Sequence, residues 1–193
     1  MIKRESLLPL ETYAREREAF RAKVMAHKKM RTVHLGGHVT LQFEDELTLR
    51  YQVQEMLRIE RIFEEEGIRG ELEAYNPLVP GGSNWKATML IEYPDADERR
   101  RMLAKLKGIE RATWVQVEGC ERVLAVADED LERENEEKTS SVHFLRFELD
   151  AAMREKLHGG AALSMGIDHP QYRAGLAVPG EVRASLMADL QKH

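Results

Sequence analysis

The chain has a single cysteine, Cys120, among 193 residues. One thiol excludes an intrachain disulfide, a Cys-x-x-Cys redox pair, a cysteine zinc site and an iron–sulfur cluster. No segment approaches the ~20 apolar residues needed to span a bilayer. The opening MIKRESLLPLETYARERE lacks an apolar run of signal-peptide length, so a cytoplasmic location is expected. Several motifs are missing as well: G-x-S-x-G, H-E-x-x-H, G-x-G-x-x-G and the EF-hand loop. No pair of Glu-x-x-His motifs on helices is present, which excludes a ferritin-like di-iron centre built by this chain. There is no internal repeat and no low-complexity tract.

Charge is plentiful. Hydrophobic residues make up 42% and charged residues 33%, with a net charge of -5. That balance describes a globular chain with a heavily charged surface. A net negative field does not favour a polyanion, so neither nucleic acid nor membrane is an expected partner. The length suits one domain over residues 1–193, able to bury roughly 70% of its unfolded surface. The only sensible internal boundary lies near 128–140, where DEDLERENEEK carries seven acidic and two basic residues. That run reads as an exposed helix or a linker.

Periodicity predicts a helix over 9–30 and a hairpin over Thr32–Phe43 turning at Gly36-Gly37. A second helix is predicted over Glu46–Gly67. Its stripe is Leu49, Val53, Met56, Glu60 and Phe63, and Gly67 reads as its cap. A loop from Tyr75 to Lys86 leads into a strand over Ala87–Tyr93 and a helix from about Asp95 to Lys107. ATWVQVE and RVLAVA form another hairpin, and the last third reads strand, helix, strand, strand, helix. The expected class is α+β: a mixed, largely antiparallel sheet with hairpins and four to six helices.

Four features carry potential chemistry. Glu60 interrupts an apolar stripe, and a buried carboxylate requires an ion pair, hydrogen bonds or a metal. His143 opens a strand on its apolar side, where an imidazole serves as a ligand, a proton shuttle or a hydrogen-bonded core residue. Asp168-His169-Pro170, with Tyr172, ends a strand as either a site or a turn. Asp168 and His169 point to opposite faces of that strand and are not expected to pair. The loop Asn76–Lys86 offers Asn76 and Asn84 amides, the Trp85 ring, the Lys86 charge and two glycines able to form an anion-binding nest. Its structural alternative is a crossover whose tryptophan plugs the core. These residues are expected to share one pocket, with a transition metal at Glu60, His143 and His169 as one outcome.

The blocks YQVQEMLRIERIFEEEGI, YNPLVPGGSNWKATMLIEYPD, SVHFLRFEL and GIDHPQYRA resemble the bacterial domain-of-unknown-function family numbered 3501. The resemblance spans nearly the whole chain. Members of that family are often encoded beside a rubrerythrin-like protein and an iron–sulfur oxidoreductase related to heterodisulfide reductases. The resemblance therefore implies a redox or peroxide-stress setting with those two kinds of partner. Two functions stand open: an accessory or binding protein in that setting, and a metalloprotein or enzyme built from Glu60, His143 and His169.

Overall fold

The structure is a computed structural model that describes residues 1–191. It contains six α-helices, α1 to α6, and nine strands, β1 to β9, in two antiparallel sheets. The α+β class, the antiparallel pairing and the hairpins are as the sequence predicts, with the strands divided between two sheets. The chain forms two compact units. One comprises residues 1–30 and 44–80, the other residues 31–43 and 81 onward. All three crossings of that division fall outside the acidic run, which lies within the second unit.

The first unit is helical, with α1 (Leu10–Lys29), α2 (Glu46–Ile59) and α3 (Glu65–Tyr75). Asp45 caps α2: its carboxylate accepts from the Thr48 amide, and the Thr48 hydroxyl accepts from the Asp45 amide. Leu49, Val53 and Leu57 then fall on one face and pack with Ile2, Leu7 and Ile68. Two side-chain amides hold the N-terminal segment against the helices. Gln54 bonds both backbone groups of Leu8, and Asn76 bonds both of Ile2.

The long helix predicted to Gly67 stops at Ile59. Arg61 adopts a left-handed φ of 55° and the Ile62 amide reaches back to the Leu57 carbonyl at 2.9 Å. This is the bond pattern of a Schellman closure, with apolar Ile62 folded onto the helix it ends. An arginine where glycine is usual hid the signal. The predicted stripe therefore breaks: Glu60 is exposed, and Phe63 is 73% exposed. Gly67 is no cap. It lies inside α3, where a Cβ would stand 2.6 Å from Ile62 Cγ2, so glycine is what lets Ile62 close in.

The second unit holds both sheets. One has the order β1 (Thr32–Leu35), β2 (Val39–Glu44), β3 (Asn84–Ile91), β7 (Val142–Glu148), β6 (Val126–Ala127). The other runs β5 (Arg122–Leu124), β4 (Thr113–Val117), β8 (Leu163–His169), β9 (Tyr172–Ala177). The predicted strand RVLAVA is split at buried Ala125: β5 pairs with β4, and β6 pairs with β7 in the other sheet. The inward faces of both sheets join Leu103 of α4 (Ala96–Lys105), Leu157 of α5 (Ala151–His158) and Leu186 of α6 (Gly180–Met187) in one apolar core. One ion pair is buried in this unit. Arg31 is 1% exposed, and its guanidinium meets the Asp189 carboxylate and the Ser185 carbonyl. The acidic run is mostly exposed and irregular, with no helix.

Candidate functional site

Within the second unit, the residues expected to share a pocket do not assemble. Lys86 opens β3 and His143 opens β7, but these two strands are direct antiparallel neighbours. Asn84 pairs with Glu148, and Met89 with His143. Adjacent antiparallel strands start at opposite ends of their ladder, so the Asn84 end and His143 are about 16 Å apart at ~3.3 Å per residue. His169 ends β8 in the other sheet, and its hydrogen-bond partners include none of those that hold His143.

Each candidate has a local role. Trp85 is fully buried and donates to the Leu186 carbonyl at 2.8 Å, which makes it the core plug of the structural alternative. Asn84 accepts from the Gly81 amide at 3.1 Å and donates to Glu148 at 3.2 Å, closing the turn before β3. Burial holds the Lys86 amine below the usual lysine range, with Glu129 opposing that shift and Arg146 adding to it. Asp168 is exposed and paired with Arg122, whose guanidinium lies 3.8 Å over the Trp114 ring. His169 is buried: its Nε2 donates to the Lys107 carbonyl at 2.9 Å, and its Nδ1 accepts from the Gln171 amide at 3.1 Å. As expected, Asp168 and His169 do not pair. The Tyr172 hydroxyl donates to the Leu35 carbonyl and accepts from the His38 amide at 3.1 Å. It sits against Gly36, φ +72°, where a Cβ would stand 2.6 Å from the phenol oxygen. Tyr172 thus clasps the Gly36-Gly37 turn. Among the described residues, no three of His, Cys, Asp and Glu are grouped to hold a metal ion.

The site that does form is an acidic cleft. It has a volume of about 350 Å³ and is lined by Glu110, Arg111 and the start of the acidic run, residues 127–134. Behind the Asp128 of its lining lies His143, which is fully buried. Nδ1 lies 2.6 Å from Asp128 Oδ2, and Nε2 lies 3.0 Å from both the Thr139 hydroxyl and the Ser140 carbonyl. A ring protonated on Nδ1 donates to Asp128 and accepts from Thr139. Asp128 also accepts from the Phe144 amide at 3.0 Å, while holding a left-handed φ of 51°. Aspartate tolerates that region better than most residues. His143 thus anchors the point where the chain leaves β6 for the cleft wall.

Three arginines compensate the wall. Arg133 forks onto Asp130 at 2.5 and 2.6 Å, and Arg146 onto Glu129 at 2.8 and 2.9 Å. Each fork pulls its carboxyl below the ordinary range, the arginine hydrogen bond being the leading cause. Arg111 lies 2.9 Å from Glu110 Oε1 and 3.5 Å from Glu134 Oε1. Glu134 Oε2 accepts from the Gly108 amide at 2.7 Å. Glu110 is the exception: it is 1% exposed, and its Oε2 has no hydrogen-bond partner among the described residues.

Sequence reasoning missed Glu110, Arg111, Asp128 and Arg133 as a group. Glu110 stands between Ile109 and Arg111 in an irregular segment, where no periodicity marks it as buried. The acidic run gave only the sign of the charge.

The sequence profile of a family described as "Protein of unknown function (DUF3501)" matches residues 1–190. No curated protein matches the chain. The chain is also similar to a solved structure, the crystal structure of a novel protein of unknown function from Burkholderia pseudomallei K96243 at 1.90 Å resolution. The two are 54% identical with a TM-score of 0.94, over 98% of this chain and 99% of that one.

Proposed function

The chain belongs to the DUF3501 family, and from that membership we propose that it is a non-enzymatic accessory protein that binds redox partners in the cytoplasm. Rubrerythrin-like and iron–sulfur oxidoreductase proteins are the partners that the family's genomic company suggests, in a setting of peroxide stress. One observation carries the reading. The two buried imidazoles, the groups best suited to chemistry or metal binding, have both ring nitrogens engaged within the scaffold. The outward-facing polar features are a charged surface and an acidic cleft, which are means of recognition. No helix among the described residues is long and apolar enough to cross a membrane.

The test is calorimetric titration of the purified chain with a purified rubrerythrin-like protein and a purified iron–sulfur oxidoreductase from the same genome, with metal analysis of the chain alongside. The expected result is stoichiometric binding to at least one partner that weakens by about tenfold as salt shortens the screening length from ~10 Å at 0.1 M to ~3 Å at 1 M. Near-stoichiometric transition metal in the chain, lost on His143→Ala or His169→Ala with the fold intact, overturns the reading. So does failure to bind either partner.

A further inference from the structure

Resting on that reading, we propose that the acidic cleft is an arginine receptor: it takes the guanidinium of an exposed partner segment, with Glu110 at its floor. The wall sets six carboxylates, Glu110, Asp128, Glu129, Asp130, Glu132 and Glu134, against the three arginines 111, 133 and 146. The surplus is negative, and in a concave site it attracts a cation. A surplus of charge alone defines no site, since exposed carboxylates are satisfied by water. Glu110 adds what exposed carboxylates lack. It is 1% exposed and one of its oxygens has no donor among the described residues, a situation that is unfavourable until a donor arrives.

The chemistry of that donor follows from the spacing. A metal ion needs its ligands to converge on one point, and no three acidic, histidine or cysteine groups among the described residues do so. A guanidinium is planar, presents five donors in a rigid fork and bridges carboxylates that do not converge. The cleft already holds one in that manner. Arg111 spans Glu110 Oε1 and Glu134 Oε1 while its side chain remains 63% exposed. To reach Glu110 Oε2, which is closed to solvent, an incoming arginine displaces this exposed side chain. Lysine, a compact and strongly hydrated charge with no fork, fits less well.

The experiment uses the intact chain and three capped peptides of alternating glycine with arginine, lysine or citrulline, titrated by calorimetry and followed by amide chemical-shift mapping. The arginine peptide should bind at least tenfold more tightly than the lysine peptide, and the neutral citrulline peptide should not bind. Glu110→Gln should weaken the arginine peptide about tenfold. Glu137→Gln, the same loss of charge on the same run but outside the cleft lining, should weaken it less than twofold. Wild-type shifts should concentrate at residues 108–111 and 128–134, an outcome that needs no variant to fold. Equal losses in the two variants, lysine binding as well as arginine, or shifts spread elsewhere would overturn the receptor. Free arginine amide binding as tightly as the peptide would also overturn it, by marking a small-molecule site instead. If full partner proteins bind while Glu110→Gln changes nothing, the cleft fails and the accessory reading survives. If no partner binds but the peptide does, the reverse holds.

Discussion

Glu55 in the helical unit and Glu110 in the sheet unit are both mostly buried glutamates, and their surroundings differ. Glu55 accepts from the Tyr13 hydroxyl at 2.6 Å, from Arg17 at 2.8 and 2.9 Å, and from Arg58 at 3.4 Å. Both of its oxygens are satisfied, and the Arg17 hydrogen bond leads in drawing its pKa down to about 2. Glu110 has one arginine on one oxygen and, among the described residues, no hydrogen-bond partner on the other. The difference lies in how donors are delivered. Tyr13 and Arg17 are four residues apart on α1, so one neighbouring helix face supplies both. Glu110 lies in an irregular segment that leads into β4, where no repeat brings a second donor. Regular elements complete a polar cluster through their own period, and irregular segments leave it open to a ligand.

The largest effect should come from breaking a cluster that the sheet unit has completed. Arg31→Ala strands the buried Asp189 carboxylate and should cost about 3–5 kcal/mol in urea unfolding. A cost below about 1 kcal/mol would show that the pair is dispensable.

Glu55→Gln should cost about 1–2 kcal/mol at pH 7, a figure reduced because Arg17 is partly exposed. The pH dependence has a definite sign. The folded pKa is depressed from 4.5 to about 2, so Glu55 stabilises the fold fully above about pH 4.5. That contribution declines as pH falls, and wild type and variant should converge near pH 2. Acid titration of both by circular dichroism checks this, and a gap that is constant with pH would refute the ion-cluster account.

Tyr172→Phe removes the clasp on the Gly36-Gly37 turn and should cost about 1 kcal/mol, the usual size of a hydrogen bond. Amide exchange in β1 and β2 should quicken more than in β7. Uniform change across both sheets would place the role of Tyr172 elsewhere.

The smallest effect sharpens the comparison most directly. Glu110→Gln at pH 7 should alter stability by less than about 0.5 kcal/mol, because loss of the pair with the exposed Arg111 is offset by relief of the unpartnered oxygen. A loss matching that of Glu55→Gln would mean that Glu110 is a structural group and the cleft is closed to ligand.

The sequence by itself determined the α+β class, the Gly36-Gly37 hairpin, Leu49 and Val53 on the apolar face of α2, and the order of elements after the acidic run. Each rests on a period of two or 3.6, or on a local turn rule, which neighbours in sequence carry among themselves. Tertiary structure decided the rest. Helix α2 ends early at a closure that a glycine would have announced, and what makes an arginine serve there is the apolar cluster of Ile2, Leu7, Leu57 and Ile68 that Ile62 joins. Strands β3 and β7 start at opposite ends because they are immediate antiparallel neighbours, and strand order is a matter of which edges pair, not of local pattern. Arg31 meets Asp189 across 158 residues. Glu110 is buried beside Ile109, and nothing about a glutamate in an irregular segment announces that its second oxygen will be left without a donor among the described residues.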